Sequence, residues 1–416
     1  MERLNIFFNE DLVGRLCLDD ERLFLFSYSR SWLDNSDAFP LSISLPLQDT
    51  VFPDHKVKSF FANLLPESAV RDLVARRLGV SEKNDFVLLK LLGGECAGAI
   101  TIFPESISPE SCDQYQYRPL TDEQLADLMK NIPKRPLLAG EDGIRISLAG
   151  AQEKLALFNK DTLFYIPLNG APSNCILKPA MAHFRSSIEN ECFCMMLAGS
   201  LNLRVPSVKI IKKEKQKAFF IQRYDRISDD DDAVIRLHQE DFCQAMGLSH
   251  ELKYQADGGP GVKECFDLVR KYSANPIKDI QQLLQWVFFN YLIGNMDAHA
   301  KNLSFLYHSR QIRLAPFYDL LCTNIYEGLS QKLAMKIGKE NRLEWMMERH
   351  WERFAGEVNI RPMVLKTQLI GFSHKMLNQI EMTYTDFSSQ YEENELVQGI
   401  ILAIKGRSER VLKQME

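Results

Sequence analysis

The sequence has no apolar run long enough to cross a bilayer, which takes about 20 residues, and its opening Met1-Glu2-Arg3-Leu4-Asn5 has no signal-type apolar core. These absences exclude a helical membrane protein and predict a cytoplasmic chain with no membrane partner. Cysteine is present at nine positions but never as C-x-x-C, which excludes the common zinc and redox frameworks and predicts reduced, mostly buried thiols. His238, His308 and the other histidines show no metal-ligand spacing. There is no Gly-x-x-x-x-Gly-Lys-Ser/Thr, so the chain is not a Walker-type nucleotidase. Internal repeats and low-complexity tracts are absent as well, which rules out solenoids. The net charge is only −5, so there is no global electrostatic case for nucleic acid binding, although a local basic patch stays open.

What is present is ordinary for a globular protein: 416 residues, 45% apolar and 25% charged, enough for two or three lobes with their own cores. Residues 4–8, 12–16 and 23–26 alternate and are broken by turn residues, as in a hairpin followed by a third strand. A helical stretch is expected through Phe60-Phe61-Ala62-Asn63-Leu64-Leu65-Pro66-Glu67. A polar segment rich in Ser, Pro, Glu and Gln (104–118) ends this first part, giving a β-rich N-terminal subdomain over 1–106. The next part, 107–228, mixes signals: a hairpin over 154–166 turning at Asn159-Lys160-Asp161, a buried strand Cys175-Ile176-Leu177-Lys178, a helix over 187–200, and strands near 208–211 and 218–223. The run Asp229-Asp230-Asp231-Asp232 reads as a solvated loop with no metal role. From 229 to 416 the pattern is helical. Ile280, Leu283, Leu284, Val287, Phe288, Tyr291 and Leu292 follow the 3.6-residue period, and Gly294 suits the helix C-cap.

The chemistry lies directly after that helix, in Asn295-Met296-Asp297-Ala298-His299-Ala300-Lys301-Asn302. Asp and Asn five apart in a polar loop have the spacing of a kinase catalytic loop, where the Asp takes the acceptor hydroxyl proton and the Asn offers a hard oxygen to Mg²⁺. Behind an expected strand pair (303–307 and 312–314) stands Phe317-Tyr318-Asp319-Leu320. There Asp319 occupies the place of a second Mg²⁺ ligand, with Tyr-Asp-Leu in place of the usual Asp-Phe-Gly. Upstream, Lys178 on a strand precedes a helix carrying Glu189 and Glu191, the order of a phosphate-holding lysine and its glutamate. Earlier still, Ser147-Leu148-Ala149-Gly150-Ala151-Gln152-Glu153-Lys154 is a small-residue loop whose backbone N–H groups could approach phosphate. Each of these signals is weak alone; their order along the chain is what argues for a kinase.

The chain also resembles the HipA serine/threonine kinases, the toxin half of bacterial toxin–antitoxin pairs. The resemblance rests on Ile146–Lys154, Gln239-Glu240-Asp241, Tyr254-Gln255-Ala256-Asp257-Gly258-Gly259-Pro260-Gly261, Asp297–Asn302 and Pro316-Phe317-Tyr318-Asp319, with Pro40–Pro46 and Asn63–Glu67 resembling the N-terminal subdomain. It implies an α+β, two-lobed protein-kinase-like fold of the phosphatidylinositol-kinase-like branch, with an all-helical C-lobe. It implies ATP and Mg²⁺ as cofactors, and ATP phosphate contacts from Ala149, Gly150, Ala151, Gln152, Glu153, Lys154 and Lys178. Gln222, Arg223 and Tyr224 would form the adenine hinge, and Asp297 would be the base. His299, Ala300, Lys301, Asn302, Tyr318 and Asp319 would line the nucleotide and metal, Asn302 and Asp319 as ligands. Ser147 would be an inhibitory autophosphorylation site, since a phosphate carrying nearly −2 charges repels those of ATP. The resemblance further implies a small DNA-binding, HipB-like antitoxin, operator DNA through it, and a protein substrate in translation such as an aminoacyl-tRNA synthetase. Two other readings compete: a small-molecule phosphotransferase, and a catalytically weak corepressor acting with a DNA-binding antitoxin.

Overall fold

The computed structural model describes residues 2–110, 114–228 and 234–415; the Asp229–Asp232 run lies outside the described residues. The chain forms two compact units. One comprises residues 1–179, 211–250 and 306–310, and the other 180–210, 251–305 and 311–416.

The first unit is built on two sheets. Strands Arg3–Phe8, Asp11–Leu18, Phe24–Tyr28 and Ile100–Pro104 make an antiparallel sheet in which Arg3–Phe8 is central, flanked by Asp11–Leu18 and Ile100–Pro104. The alternation seen in the sequence buries Leu4, Ile6, Val13, Leu16, Phe24 and Phe26 in the core of this unit. Phe60 and Phe61, from the helix Asp54–Phe61, join the same core, with Phe26 and Phe61 rings 5.7 Å apart. The helical stretch expected through Glu67 ends earlier, in a short 3-10 turn Ala62–Leu64. Leu65 is extended (φ −85°, ψ 156°) because the ring of Pro66 disfavours helical geometry in the residue before it. The second sheet runs Gln116–Leu120, Leu163–Leu168, Leu155–Lys160, Cys175–Pro179, Gln216–Gln222, antiparallel at each of these pairings, and residues 211–213 extend it.

One ionic cluster sits deep in this unit. Glu95 accepts from Arg223 (2.9 Å), Arg226 (2.9 Å) and Arg236 (3.1 Å), while Asp225 pairs with Arg223 (2.7 Å) and Arg226 (2.9 Å); all five side chains are at most 4% exposed. Burial alone would raise the Glu95 carboxyl, but the three guanidiniums outweigh it and hold the group at about 2. Burial acts on the Asp225 carboxyl in the same sense, and there Arg223 and Arg226 outweigh it and lower the group.

The second unit is mainly helical: Ser187–Ser200, Val262–Tyr272, Pro276–Ile293, Glu348–Glu357, Pro362–Tyr391 and Glu395–Met415. Its centre is aromatic, with Trp351 edge-on to Phe288 and Tyr291 and Phe193 edge-on to Phe387. The expectation of an all-helical C-terminal part needs correction. A hairpin Lys332–Ile337/Glu340–Arg342 lies within it, and strands Ser304–His308 and Gln311–Leu314 match the strand pair expected from the sequence. Phe305, Tyr307 and Ile312 of the expected pair suit pleated surfaces, whereas the hairpin has only Ile337 of that kind. Of the nine cysteines eight are described, and all but Cys17 of these are buried, as expected. No helix is long and apolar enough to cross a membrane among the described residues.

Candidate active site

The helix Pro276–Ile293 delivers the candidate catalytic loop. Asn275 caps its start by accepting from Lys278 N, Pro276 fits the first turn, and Gly294 closes it in the left-handed conformation (φ 75°). A side chain at Gly294 would be strained by that φ and would press on Asn324 and Arg407 about 3.0 Å away. The chain therefore leaves the helix in a fixed direction.

Asn295, 1% exposed, organises the loop beyond that glycine. Its amide donates to Asn290 Oδ1 (2.8 Å) and to the Asp319 carbonyl (3.2 Å), and its Oδ1 accepts from Asp297 N (3.1 Å). One buried side chain thus sets both the loop carrying Asp297 and the turn carrying Asp319. Met296 N donates to Thr323 Oγ1 (2.6 Å), a second tie between the same segments. Asp297 itself is exposed while its neighbours Met296 and Ala298 are buried, so its carboxylate projects from a rigid base.

Asn302 and Asp319, seventeen residues apart, are brought together, with Asn302 Nδ2 donating to Asp319 Oδ2 (3.3 Å). Asn302 Oδ1 also accepts from His299 N (2.9 Å), which closes the one-turn 3-10 helix Ala300–Asn302. Asp319 is held at φ 53°, an uncommon backbone state for a residue with a side chain and one that clusters at functional sites. The adjacent Tyr318 hydroxyl donates to the Lys301 carbonyl (2.7 Å) and lies 2.8 Å from Ser304 Oγ, stitching the two segments again. His299, Lys301 and Asn302 are 6 to 8% exposed, and Ala300 is fully buried.

The donor set answers whether Mg²⁺ fits. Asn302 and Asp319 are adjacent and offer a carboxamide and a carboxylate, side chains of the kind Mg²⁺ takes one or two of before completing its shell with phosphate and water. As hydrogen-bonded here, Asn302 turns its Nδ2 to Asp319 and its Oδ1 to His299 N. No group of three or more His, Cys, Asp or Glu able to hold a metal by itself occurs among the described residues.

In the first unit, residues 145–150 run between two backbone edges. Glu95 N donates to the Arg145 carbonyl (2.8 Å), Ser147 N to the Glu95 carbonyl (2.8 Å), and Glu67 N to the Gly150 carbonyl (3.0 Å). Ser147 is fully buried, and its hydroxyl donates to the Leu64 carbonyl (2.7 Å). Beyond it Ala149 and Gly150 are half-buried and Ala151 is exposed, followed by half-buried Gln152, Glu153 and Lys154. Lys154 Nζ folds back to donate to the Ala149 carbonyl (2.6 Å). Lys178 is 4% exposed on Cys175–Pro179, opposite Phe219. Glu189 and Glu191 lie on the helix Ser187–Ser200, in the second unit.

At the expected hinge the structure shows where the side chains go. The Arg223 guanidinium is engaged with Glu95, Asp225, the Ser173 hydroxyl and the Cys96 carbonyl, and its backbone N donates to the Asn174 carbonyl. A nucleotide could meet only its remaining backbone. Gln222 and Tyr224 are half-buried, and the Tyr224 hydroxyl donates to Gln239 Oε1.

Two residues of the site have no role that the sequence alone suggests: Asn295, and Tyr254, whose hydroxyl donates to Asp297 Oδ1 (2.7 Å). Asn295 carries a faint signal, the N-x-D ahead of the loop; Tyr254 lies inside a family motif without a function attached to it.

Comparison with known proteins finds relatives along nearly the whole chain. A family model described as HipA-like C-terminal domain matches residues 146–383, more than half of the chain, and one described as HipA N-terminal domain matches residues 4–103. A Sinorhizobium fredii protein named "Putative kinase Y4mE" is 39% identical over 412 residues, 98% of each chain. The Shewanella oneidensis protein named serine/threonine-protein kinase toxin HipA is 33% identical over 342 residues, covering 79% of this chain and 77% of that one. The solved complex of Shewanella oneidensis HipA, HipB and operator DNA contains a chain that matches with TM-score 0.86 at 28% identity, over 99% of this chain and 98% of that one. The two domain matches and the 33% identical relative establish that this chain belongs to the HipA family.

Proposed function

We propose that this protein is the toxin of a toxin–antitoxin pair, a serine/threonine protein kinase that uses ATP and Mg²⁺. The observation that carries this reading is that the buried Asn295 side chain ties Asp297 to Asp319, and that Asn302 in turn bonds the Asp319 carboxylate. Asp297 is the base: exposed at the loop tip, it takes the acceptor hydroxyl proton and orients the oxygen for attack. Asn302 and Asp319 hold Mg²⁺, which when bound neutralises charge on the transferring phosphate. Residues 149–154 and Lys178 take the ATP phosphates, His299 to Lys301 and Tyr318 line the nucleotide and metal, and Gln222, the Arg223 backbone and Tyr224 take the adenine.

The acceptor is a protein of the translation apparatus, possessing a serine or threonine hydroxyl; an aminoacyl-tRNA synthetase fits this class. The partner is a small HipB-like DNA-binding antitoxin that brings the toxin to operator DNA, as the assembly of the Shewanella relative suggests. The three parts 1–106, 107–228 and 229–416 act as N-terminal subdomain, nucleotide lobe and catalytic lobe of this kinase. The test is label transfer from radiolabelled ATP with and without Mg²⁺. Label on serine or threonine of a protein supports the reading, whereas label confined to small molecules such as aminoglycosides would sink it in favour of a small-molecule phosphotransferase.

Ser147 is the inhibitory autophosphorylation site in this reading. Because its hydroxyl is buried against the Leu64 carbonyl, residues 145–150 must leave their two backbone edges before the site is modified. Mass spectrometry of protein incubated with ATP is expected to find phosphate on Ser147, accumulating in step with loss of activity. Active enzyme that self-inactivates with Ser147 unmodified would count against it.

A further inference from the structure

The segment Tyr254–Gly261 has no part in the proposed kinase roles, yet its first residue touches the base. The Tyr254 hydroxyl donates to Asp297 Oδ1 at 2.7 Å. The tyrosine ring is fixed on two sides: its edge meets His299 at 5.1 Å and 80°, and Lys253 Nζ lies 5.4 Å from its centroid. Its carbonyl accepts from Asp257 N (3.1 Å) and Gly259 N (3.0 Å), which curls the segment into a tight loop. The loop is pinned to the neighbouring hairpin where Gln255 Oε1 accepts from Lys336 N (2.8 Å), and to the next helix where Glu264 Oε2 accepts from Gly261 N (2.9 Å).

Packing accounts for the glycine at position 259. A Cβ there would stand 2.0 Å from the Leu252 carbonyl oxygen and 2.8 Å from that of Tyr254, distances no side chain tolerates. The loop is therefore built to one shape, and that shape presents one hydroxyl to one carboxylate oxygen.

We propose that Tyr254 is a positioning residue for phosphoryl transfer: it locks the Asp297 carboxylate so that Oδ2 faces the acceptor hydroxyl. This inference rests on the kinase reading. In the step it serves, the acceptor proton passes to Oδ2 as the acceptor oxygen bonds the γ-phosphorus. The bond from that phosphorus to the β,γ-bridging oxygen breaks, and ADP leaves. A carboxylate on a freely rotating side chain would present the proton-accepting oxygen only part of the time. The bond to Tyr254 removes that freedom before the acceptor arrives.

The experiment uses the full chain and casein as a generic hydroxyl acceptor, with radiolabelled ATP, and compares wild type, Tyr254→Phe, Gly259→Ala, their double mutant and Asp297→Ala. Tyr254→Phe is expected to lower kcat by between about tenfold and a hundredfold, the scale of a misplaced catalytic group. The KM for ATP should stay within about twofold, and Tm should hold, because only a hydroxyl is removed at a half-exposed site. Gly259→Ala displaces the same loop and should lower kcat alike, with the double mutant no worse than the worse single mutant, since both break one contact. A merely structural tyrosine would instead lower Tm or raise the KM. Wild-type kcat in Tyr254→Phe beside an inactive Asp297→Ala overturns this proposal and leaves the kinase reading standing. Activity in Asp297→Ala, or no label transfer by wild type, overturns both. Should Gly259→Ala fail to fold, Tyr254→Phe decides alone.

Discussion

Asp297→Ala is expected to lose ATP-dependent phosphoryl transfer by about 10²- to 10⁴-fold, the usual contribution of a positioned general base, while melting like the wild type. The two halves of that expectation have different origins. Loss of activity follows from the carboxylate being the exposed acid on a loop whose neighbouring positions are tied down by Asn295, Thr323 and Asn302. Retention of the fold follows because the side chain is exposed and fills no core volume, and such substitutions usually change stability by less than about 0.5 kcal/mol. Tyr254 loses its partner oxygen but stays half-exposed, so water replaces the bond at little cost. Label transfer and a thermal melt on the same preparation decide the matter. A well-folded Asp297→Ala protein with wild-type turnover would remove Asp297 as the base.

Glu95→Gln is expected to cause the largest loss of stability, about 3–5 kcal/mol at neutral pH, the typical cost of removing one partner from a buried ion pair. Three guanidiniums, of Arg223, Arg226 and Arg236, would be left with the single carboxylate of Asp225 in a site closed to water. The amide cannot repay them: it retains one acceptor oxygen and adds two donors to a cluster already rich in donors. The pH dependence has a definite sign. The Glu95 carboxyl titrates ordinarily at 4.5 and is held at about 2 in the fold, so the unfolded chain binds its proton more readily. Its stabilisation is therefore complete above about 4.5 and is lost as pH falls from there towards 2. Denaturant melts from about pH 7 to about pH 3 should show wild-type stability falling steeply below that ordinary carboxyl value. The Glu95→Gln protein should begin lower and lose less across that window. Equal stability of the two proteins at neutral pH would show that the cluster contributes nothing net.

The two predictions separate two jobs within one chain. Asp297→Ala is expected to cost activity and not stability, and Glu95→Gln to cost stability first. Arg223 shows how one position can be read for its place in a motif and yet have its side chain engaged elsewhere. As part of Gln222-Arg223-Tyr224 it reads as a hinge residue, but its guanidinium is spent on Glu95, 128 residues earlier in the chain.

Features of short range are readable from the chain alone. The strands of the first sheet, the helix Pro276–Ile293 with its cap at Gly294, and the Asp297-to-Asn302 loop are all legible, because alternation, the helical period and a five-residue spacing are written in neighbouring residues. Family motifs add Asp319 and Ser147. Folding had to be seen before Asn295 could be known to tie Asp297 to Asp319, Ser147 to be buried under Leu64 83 residues away, and Tyr254 to reach across 43 residues to the candidate base. Three-dimensional packing also places the hairpin Lys332–Ile337/Glu340–Arg342 in a part expected to be all helical. The physical reason is the same in each case. Hydrogen bonds and ion pairs between distant segments leave no periodic trace in the chain, so a tyrosine in a glycine-rich loop looks like any other until the fold sets its hydroxyl 2.7 Å from Asp297.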